Sequence, residues 1–152
     1  MLKVLKVHDK ALLPTKAHKT DCGHDVFFCP SEYDPQEVHL SPGDSKLFST
    51  GLRFNFPAGY CVEIKNRSGM ASKKSLIVGA CIIDPTYTGT VFVNLHNIGL
   101  QGQTVKAGDK IAQFVCYPVK SDMELMEVDE EKYNQLTSDS TRGSGGFGSS
   151  GF

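Results

Sequence analysis

Net charge is almost absent from this 152-residue chain, in which 16 basic residues face 17 acidic ones and leave a formal charge of -1. A nucleic-acid binder shows a basic excess or stripe, so that class is disfavoured. Long apolar runs are also missing. None approaches the roughly 18 residues that a membrane-spanning helix requires. The first residues, Met1-Leu2-Lys3-Val4-Leu5-Lys6-Val7, alternate apolar with basic and lack the apolar stretch and cleavage site of a secretory leader. They read as a first strand. Cysteine pairing is missing too: Cys22, Cys29, Cys61, Cys81 and Cys116 are odd in number, widely scattered and never at CxxC spacing. That pattern argues against a disulfide framework and for reduced, mostly buried thiols in a cytoplasmic compartment. His24 has no second His or Cys at ligand spacing, which argues against a zinc site. Helical periodicity and internal repeats are scarce.

What is present is a succession of short strand-like runs. They cover Lys3–Val7, Asp25–Phe28, Glu37–Leu40, Lys46–Phe48, Leu52–Asn55, Tyr60–Lys65, Leu76–Ile83, Thr90–His96, Lys110–Cys116 and Met123–Val128. Turn sequences such as Ser41-Pro42-Gly43-Asp44, Pro57-Ala58-Gly59 and Ala107-Gly108-Asp109 separate them. With 39% hydrophobic residues the chain can bury one core, and the pattern predicts an all-β sandwich, barrel or jelly roll. Ser68–Lys74 predicts at most one short helix, with Ser68 able to cap it.

The stretch Val78–Asn97 draws most attention. Two strand-like runs flank a reversal marked by Pro85 and Gly89, and Asp84 stands where the first run ends. In the second run Val91, Val93 and Leu95 share one face, and Phe92, Asn94 and His96 the other. A carboxylate on such a rigid turn suits chemistry, although an isolated Asp-Pro more often only closes its own turn. Asn66-Arg67-Ser68-Gly69-Met70-Ala71 combines a guanidinium, a hydroxyl and a helix start, a phosphate cradle in outline, and also what a surface Arg beside a helix end looks like. Gly108-Asp109-Lys110-Ile111-Ala112-Gln113 opens a strand after a turn, and Gln113 either meets a phosphate or water or is an ordinary polar strand residue. Thr20-Asp21-Cys22-Gly23-His24-Asp25-Val26 brings two carboxylates to a strand start, where a hard cation such as Mg2+ could use one, directly or through water. A turn-forming acidic pair reads the same.

After Val128 the composition changes. Asp129–Lys132 is highly charged, and residues 137–152 are rich in Ser and Gly, which predicts a mobile tail. A pure spacer needs neither Arg142 nor Phe147. Glycines at 143, 145, 146 and 148 let backbone N–H groups close on an anion, the Arg adds a bidentate contact, and the Phe offers a stacking face. Phosphate plus aromatic contact implies a nucleotide.

Taken in order, the five stretches resemble the trimeric dUTPase family. The resemblance runs from about Asp21 to Gly151 and rests on Gly23-His24-Asp25-Val26, Arg67-Ser68-Gly69-Met70-Ala71, Cys81-Ile82-Ile83-Asp84-Pro85-Thr86-Tyr87-Thr88-Gly89, Gly108–Gln113 and Arg142-Gly143-Ser144-Gly145-Gly146-Phe147-Gly148-Ser149-Ser150-Gly151. Departures are His24 where tyrosine is usual, Cys81 where a small or aliphatic residue is usual, and Thr86 and Thr88 where Asp and Arg are common. The resemblance implies a jelly-roll β domain over residues 1–136, an arm over residues 137–152 that closes on the site, and a homotrimer with shared sites. It implies Mg2+-assisted hydrolysis of dUTP to dUMP and pyrophosphate, which lowers dUTP and supplies dUMP for thymidylate synthesis. It assigns water activation to Asp84 and metal-bound water to Asp25. Phosphate contacts fall to Arg67, Ser68, Gly69, Gln113, Arg142, Gly148 and Ser149. Uracil and deoxyribose contacts fall to Gly79, Cys81, Ile83, Tyr87 and Phe147. No nucleic-acid or membrane partner is expected. dCTP deaminase is similar in fold and shares Ile83-Asp84-Pro85, but lacks the Arg142–Gly151 motif. A non-catalytic jelly-roll binding module is the reading from another class.

Overall fold

The computed structural model of this chain describes residues 1–120, 122–141 and 143–145. Among them are ten strands and two short helices. The chain divides into two compact units, Met1–Ser121 and Asp122–Phe152.

All ten strands lie in the first unit: β1 (Lys3–Lys6), β2 (His24–Phe27), β3 (Glu37–Leu40), β4 (Ser45–Asn55), β5 (Tyr60–Lys65), β6 (Leu76–Val78), β7 (Ile82–Ile83), β8 (Thr90–Asn97), β9 (Gln103–Lys106) and β10 (Lys110–Pro118). One sheet has the order β1-β4-β8-β6, a second β2-β10-β5-β7, and β3 pairs with β9 in a ribbon. Every pairing is antiparallel. The all-β, jelly-roll-like expectation is borne out.

Alternation decides which face each strand buries. On β8, Val91, Val93 and Leu95 are buried while Phe92 is exposed and Asn94 and His96 are half-covered. These residues join Phe28, Phe48, Val62, Ile64, Ile111 and Phe114 in one cluster fed by both sheets. Two buried polar side chains are satisfied within it. Thr50 Oγ1 donates to the Val91 carbonyl at 2.8 Å, and Asn97 Nδ2 donates to the carbonyls of Leu40 and Gln101 at 3.0 and 2.8 Å.

The structure departs from the sequence reading in several places. The runs Lys46–Phe48 and Leu52–Asn55 are one strand, β4. Gly51, at φ +66°, takes up a bulge where the register with β8 shifts between Ser49 and Arg53. The run Leu76–Ile83 is instead cut in two. β6 pairs with β8 in the first sheet, β7 pairs with β5 in the second, and Gly79-Ala80-Cys81 crosses between the sheets. Strand β9 was not expected, because Gln103-Thr104-Val105-Lys106 is too short and polar to stand out.

The described residues form two helices, one more than expected. α1 (Ser68–Lys74) lies in the first unit and α2 (Glu130–Leu136) in the second. The charge run that marked Asp129–Lys132 as polar also starts α2. The Asp129 carboxylate accepts from the Lys132 N–H, and Glu130 and Glu131 occupy the positive first turn. The strand expected over Met123–Val128 does not form, and among the described residues of that unit there is no strand for it to pair with. No described helix is long and apolar enough to cross a membrane.

His24, standing in an aromatic position, stacks on Phe114 with ring centroids 5.0 Å apart. Partial burial, helped by nearby Lys16, lowers its pKa. The imidazole is thus neutral in both folded and unfolded chains above its ordinary value of about 6.5. As pH falls below that, the unfolded chain protonates first and folded stability is lost. His24→Phe keeps the stack and removes this pH dependence. Thermal denaturation between pH 8 and pH 5 is expected to show a shallower fall in melting temperature for the variant than for the parent.

Candidate active site

Two clefts carry the residues singled out above. The first measures about 370 Å³ and is lined by Asp21, Gly23, Asp25, Arg67, Ser68 and Gln113, with Cys22, Lys65 and Val115 beside them. Strand register builds it. Gln113 on β10 stands opposite Asp25 on β2 and Lys65 on β5, so the three side chains form a cross-strand row on one face.

Asp25 is buried, and both its oxygens are occupied. Arg67 Nε donates to Oδ1 at 2.8 Å, and Lys110 Nζ reaches Oδ2 at 2.9 Å. Arg67 Nη1 also donates to the Lys110 carbonyl at 3.2 Å, and the Lys110 ammonium lies over the Phe27 ring at 5.8 Å. Gln113 Nε2 donates to the Asn66 carbonyl at 2.9 Å. The Gln113 amide lies so close to Gly23 that a Cβ there would collide with it.

Ser68 was expected to cap α1. Arg67 is the N-cap instead, with an extended backbone and no side-chain cap bond. Ser68 is the first helical residue, exposed, and its hydroxyl makes no hydrogen bond among the described residues. Gly69 is also exposed, and a Cβ built on it would meet nothing within 4 Å. The fold of one chain therefore does not require glycine here. Such a position suits close approach of a ligand to backbone N–H groups.

The second cleft measures about 190 Å³ and is lined by Ile64, Cys81, Ile83, Asp84, Tyr87 and Phe92. The Asp84 carbonyl accepts the Tyr87 N–H at 3.0 Å and closes the turn. Its carboxylate takes no part in that turn. It is exposed and has no hydrogen-bond or ion-pair partner among the described residues. Tyr87 Oη donates to the Thr90 carbonyl at 2.9 Å, and the ring packs over Gly89, where a Cβ would strike it. Cys81 is joined to the sheet through its carbonyl, which accepts the Ile64 N–H at 2.7 Å. Gly79 lies outside this cleft, against Asn94 and His96, with its N–H donated to the Asn94 carbonyl at 2.9 Å.

The two clefts share no lining residue. Ile64 lines one and Lys65 the other, and consecutive strand residues project to opposite faces. The structure thus brings Asp25, Arg67, Ser68 and Gln113 together, with Gly69 next along α1 but outside the lining, and separately Cys81, Ile83, Asp84 and Tyr87. Arg142, Phe147, Gly148 and Ser149 lie outside the described residues. Lys65 and Lys110 were missed as site residues. The alternation Val62-Glu63-Ile64-Lys65 was the signal for Lys65, since it gives β5 a polar face running straight into Asn66-Arg67-Ser68.

Among the described residues no group of three His, Cys, Asp or Glu could hold a bare metal ion. Asp25 keeps spare lone pairs beyond its two ion pairs. It fits a Mg2+ that retains its waters and arrives on phosphate oxygens, the usual mode for that ion.

A family model described as dUTPase matches residues 9–151. The chain is 39% identical to the deoxyuridine 5'-triphosphate nucleotidohydrolase of Clostridioides difficile, over 99% of this chain and 98% of that protein. It is 37% identical to that of Mus musculus, over 99% of this chain and 85% of that protein. Among solved structures, the Staphylococcus bacteriophage 80alpha dUTPase with dUpNHpp superposes with a TM-score of 0.84 and 28% identity, covering 100% of this chain and 99% of that one. A mutant dUTPase from phage phi11 of S. aureus, described with a coordinated structural Mg(II) ion, reaches a TM-score of 0.75 at 26% identity, covering 86% of this chain and 97% of that one.

Gly69 offers a test of the first cleft. Ala at this helical position favours the helix by up to about 1 kcal/mol, so Gly69→Ala is expected to leave the melting temperature unchanged or slightly raised. Calorimetric titration with inorganic tripolyphosphate is expected to show several-fold weaker binding. Equal binding by parent and variant would show that no anion approaches the backbone here.

Proposed function

Because this chain belongs to the dUTPase family, and so to the dUTP diphosphatases, we propose that it converts dUTP to dUMP and pyrophosphate by attack of water on the α-phosphorus. The observation that carries the mechanism is the unpartnered Asp84 carboxylate on a closed turn at the rim of an apolar cleft. Asp84 accepts a proton from a water and orients it for attack. The cleft walls hold the base and sugar. Strand-like hydrogen bonds from the Cys81 segment read the uracil edge, the close walls at Ile83 exclude a thymine methyl, and the Tyr87 ring packs on the deoxyribose. Gly79 is the start of the crossing that carries this segment.

The first cleft seats the triphosphate. Arg67, the free Ser68 hydroxyl, the open backbone at Gly69 and the fixed Gln113 amide offer preorganised donors for charge on the phosphates. Mg2+, when bound, supplies charge neutralisation on the triphosphate, with Asp25 accepting from its waters. Arg142, Gly148, Ser149 and Phe147 complete the site from the arm, with phosphate contacts from the first three and a stacking face from the last. Ammonia release from dCTP would mark the deaminase alternative.

The two clefts share no lining residue, and neither alone offers both a seat for the base and donors for the phosphates. The site is shared between copies of the chain in a homotrimer, the closed assembly that lets one chain's second cleft meet a neighbour's first.

Asp84→Asn is expected to remain folded and bind nucleotide while kcat falls about 100-fold to 10,000-fold. In 18O-labelled water the parent enzyme is expected to place the label in dUMP. Near-normal turnover in the variant, or label in pyrophosphate alone, would overturn the mechanism.

Sharing is tested by complementation. Ser68→Glu puts a like charge in the phosphate cleft at an exposed first-turn position, where Glu suits the helix. Coexpression with Asp84→Asn is expected to restore activity at about a quarter of the sites, because random mixing rebuilds that fraction with both native halves. Activity no higher than that of either variant alone would place both halves in one chain.

A further inference from the structure

We propose that Lys65 is an additional phosphate-binding residue of the first cleft, and that Glu63 is its built-in competitor. The inference rests on the reading of that cleft as the triphosphate seat and deepens it. The cleft's other lining cation, Arg67, is already held in place, and Lys110, outside the lining, is held with it. Arg67 and Lys110 divide the two oxygens of Asp25 between them, and Arg67 also donates to the Lys110 carbonyl. Lys65 is differently placed. It lines the cleft in the row that holds Gln113 and Asp25. Its one hydrogen-bond and ion-pair partner among the described residues is Glu63, two residues earlier on the same face of β5, with Nζ and Oε1 2.5 Å apart.

An ammonium has three N–H donors, and this pair engages one. The remaining two point to a second acceptor, and the Lys65 side chain, at 44% exposure, is free to turn. The hydrogen bond to Glu63 also raises the Lys65 pKa, so the amine is charged throughout the neutral range. With the cleft empty, Glu63 cancels that charge. When a polyphosphate enters, its more concentrated negative charge draws the ammonium from the carboxylate. Lys65 then discriminates by phosphate number, because a longer anion outbids Glu63 where a monophosphate does not. In this arrangement Glu63 weakens product binding and favours release of dUMP.

The two members of the pair therefore carry opposite predictions, which a surface ion pair kept for stability does not. Binding of an imido dUTP analogue and of dUMP is measured by calorimetry for the parent, Lys65→Gln, Lys65→Arg and Glu63→Gln proteins. Lys65→Gln is expected to weaken the analogue about five- to tenfold with little change for dUMP, as loss of a partly exposed charged hydrogen bond requires. Lys65→Arg is expected to restore binding. Glu63→Gln is expected to tighten the analogue and to tighten dUMP by a larger factor. If the parent prefers the analogue to dUMP and Lys65→Gln keeps the same preference, Lys65 has no phosphate role and the proposal fails alone. If the parent shows no preference for the analogue, the phosphate reading of the cleft fails and this proposal fails with it.

Discussion

The site depends on the ion pairs at Asp25. This carboxylate is buried on β2, and it takes one cation on each oxygen, Arg67 from the start of α1 and Lys110 from β10. Its backbone is tied as firmly, with the N–H donated to the Thr15 carbonyl at 2.6 Å. Three segments far apart in sequence converge on one side chain. Removing the carboxylate would leave two cations without their partner; both are partly exposed, so the cost falls below the roughly 3–5 kcal/mol of a fully buried pair. The pair also aims Arg67. With Nε held by Asp25 and Nη1 by the Lys110 carbonyl, the guanidinium plane is fixed before any ligand arrives. A fixed donor needs little reorganisation when charge develops beside it.

The second half-site is held by the opposite economy. Asp84 has no partner among the described residues, and its turn is closed by backbone and by Tyr87. The crossing at Gly79-Ala80-Cys81 makes this possible. β6 belongs to the first sheet and β7 to the second, so the turn after β7 is anchored to both. Gly79 is forced by this crossing, since Asn94 and His96 fill the space a side chain would need. Asn94 and His96 are themselves linked, Oδ1 to Nε2, at 2.7 Å.

Much of this was legible in the sequence, for physical reasons. Strands with one buried face announce themselves by alternation, as β8 does through Val91, Val93 and Leu95. Asp84, Arg67, Ser68 and Gln113 were legible because their motifs stand together in order. What escaped depends on partners distant in sequence. The bulge at Gly51 read as a break between two strands, because only the pairing with β8 shows that β4 is continuous. The cut between β6 and β7 read as one run, because alternation cannot say which sheet a residue joins. Met123–Val128 has the composition of a strand, but no strand among its unit's described residues offers it hydrogen bonds. Lys65 looked like a strand end, and only the register with Gln113 and Asp25 places it in the cleft.

The separation of the clefts bears on how the chemistry is controlled. Asp84 faces Ile64, Ile83 and Tyr87, with no cation to attract a polyphosphate. Alone, that carboxylate repels the substrate it is proposed to act on. The first cleft, lined by Lys65 and Arg67 but also by Asp21 and Asp25, has the reverse defect in that proposal: it supplies donors for phosphate oxygens, but among the described residues it offers no unpartnered carboxylate beside an apolar seat for a base. In the proposed assembly the two defects cancel. The field of Arg67 and its neighbours offsets repulsion between Asp84 and the triphosphate, and water exclusion at the joint raises the value of each charge contact. In that proposal a lone chain lacks half of the site. The proposed division would also give selectivity for one nucleotide, since a triphosphate held in the first cleft reaches Asp84 only if its base also fits the apolar second cleft.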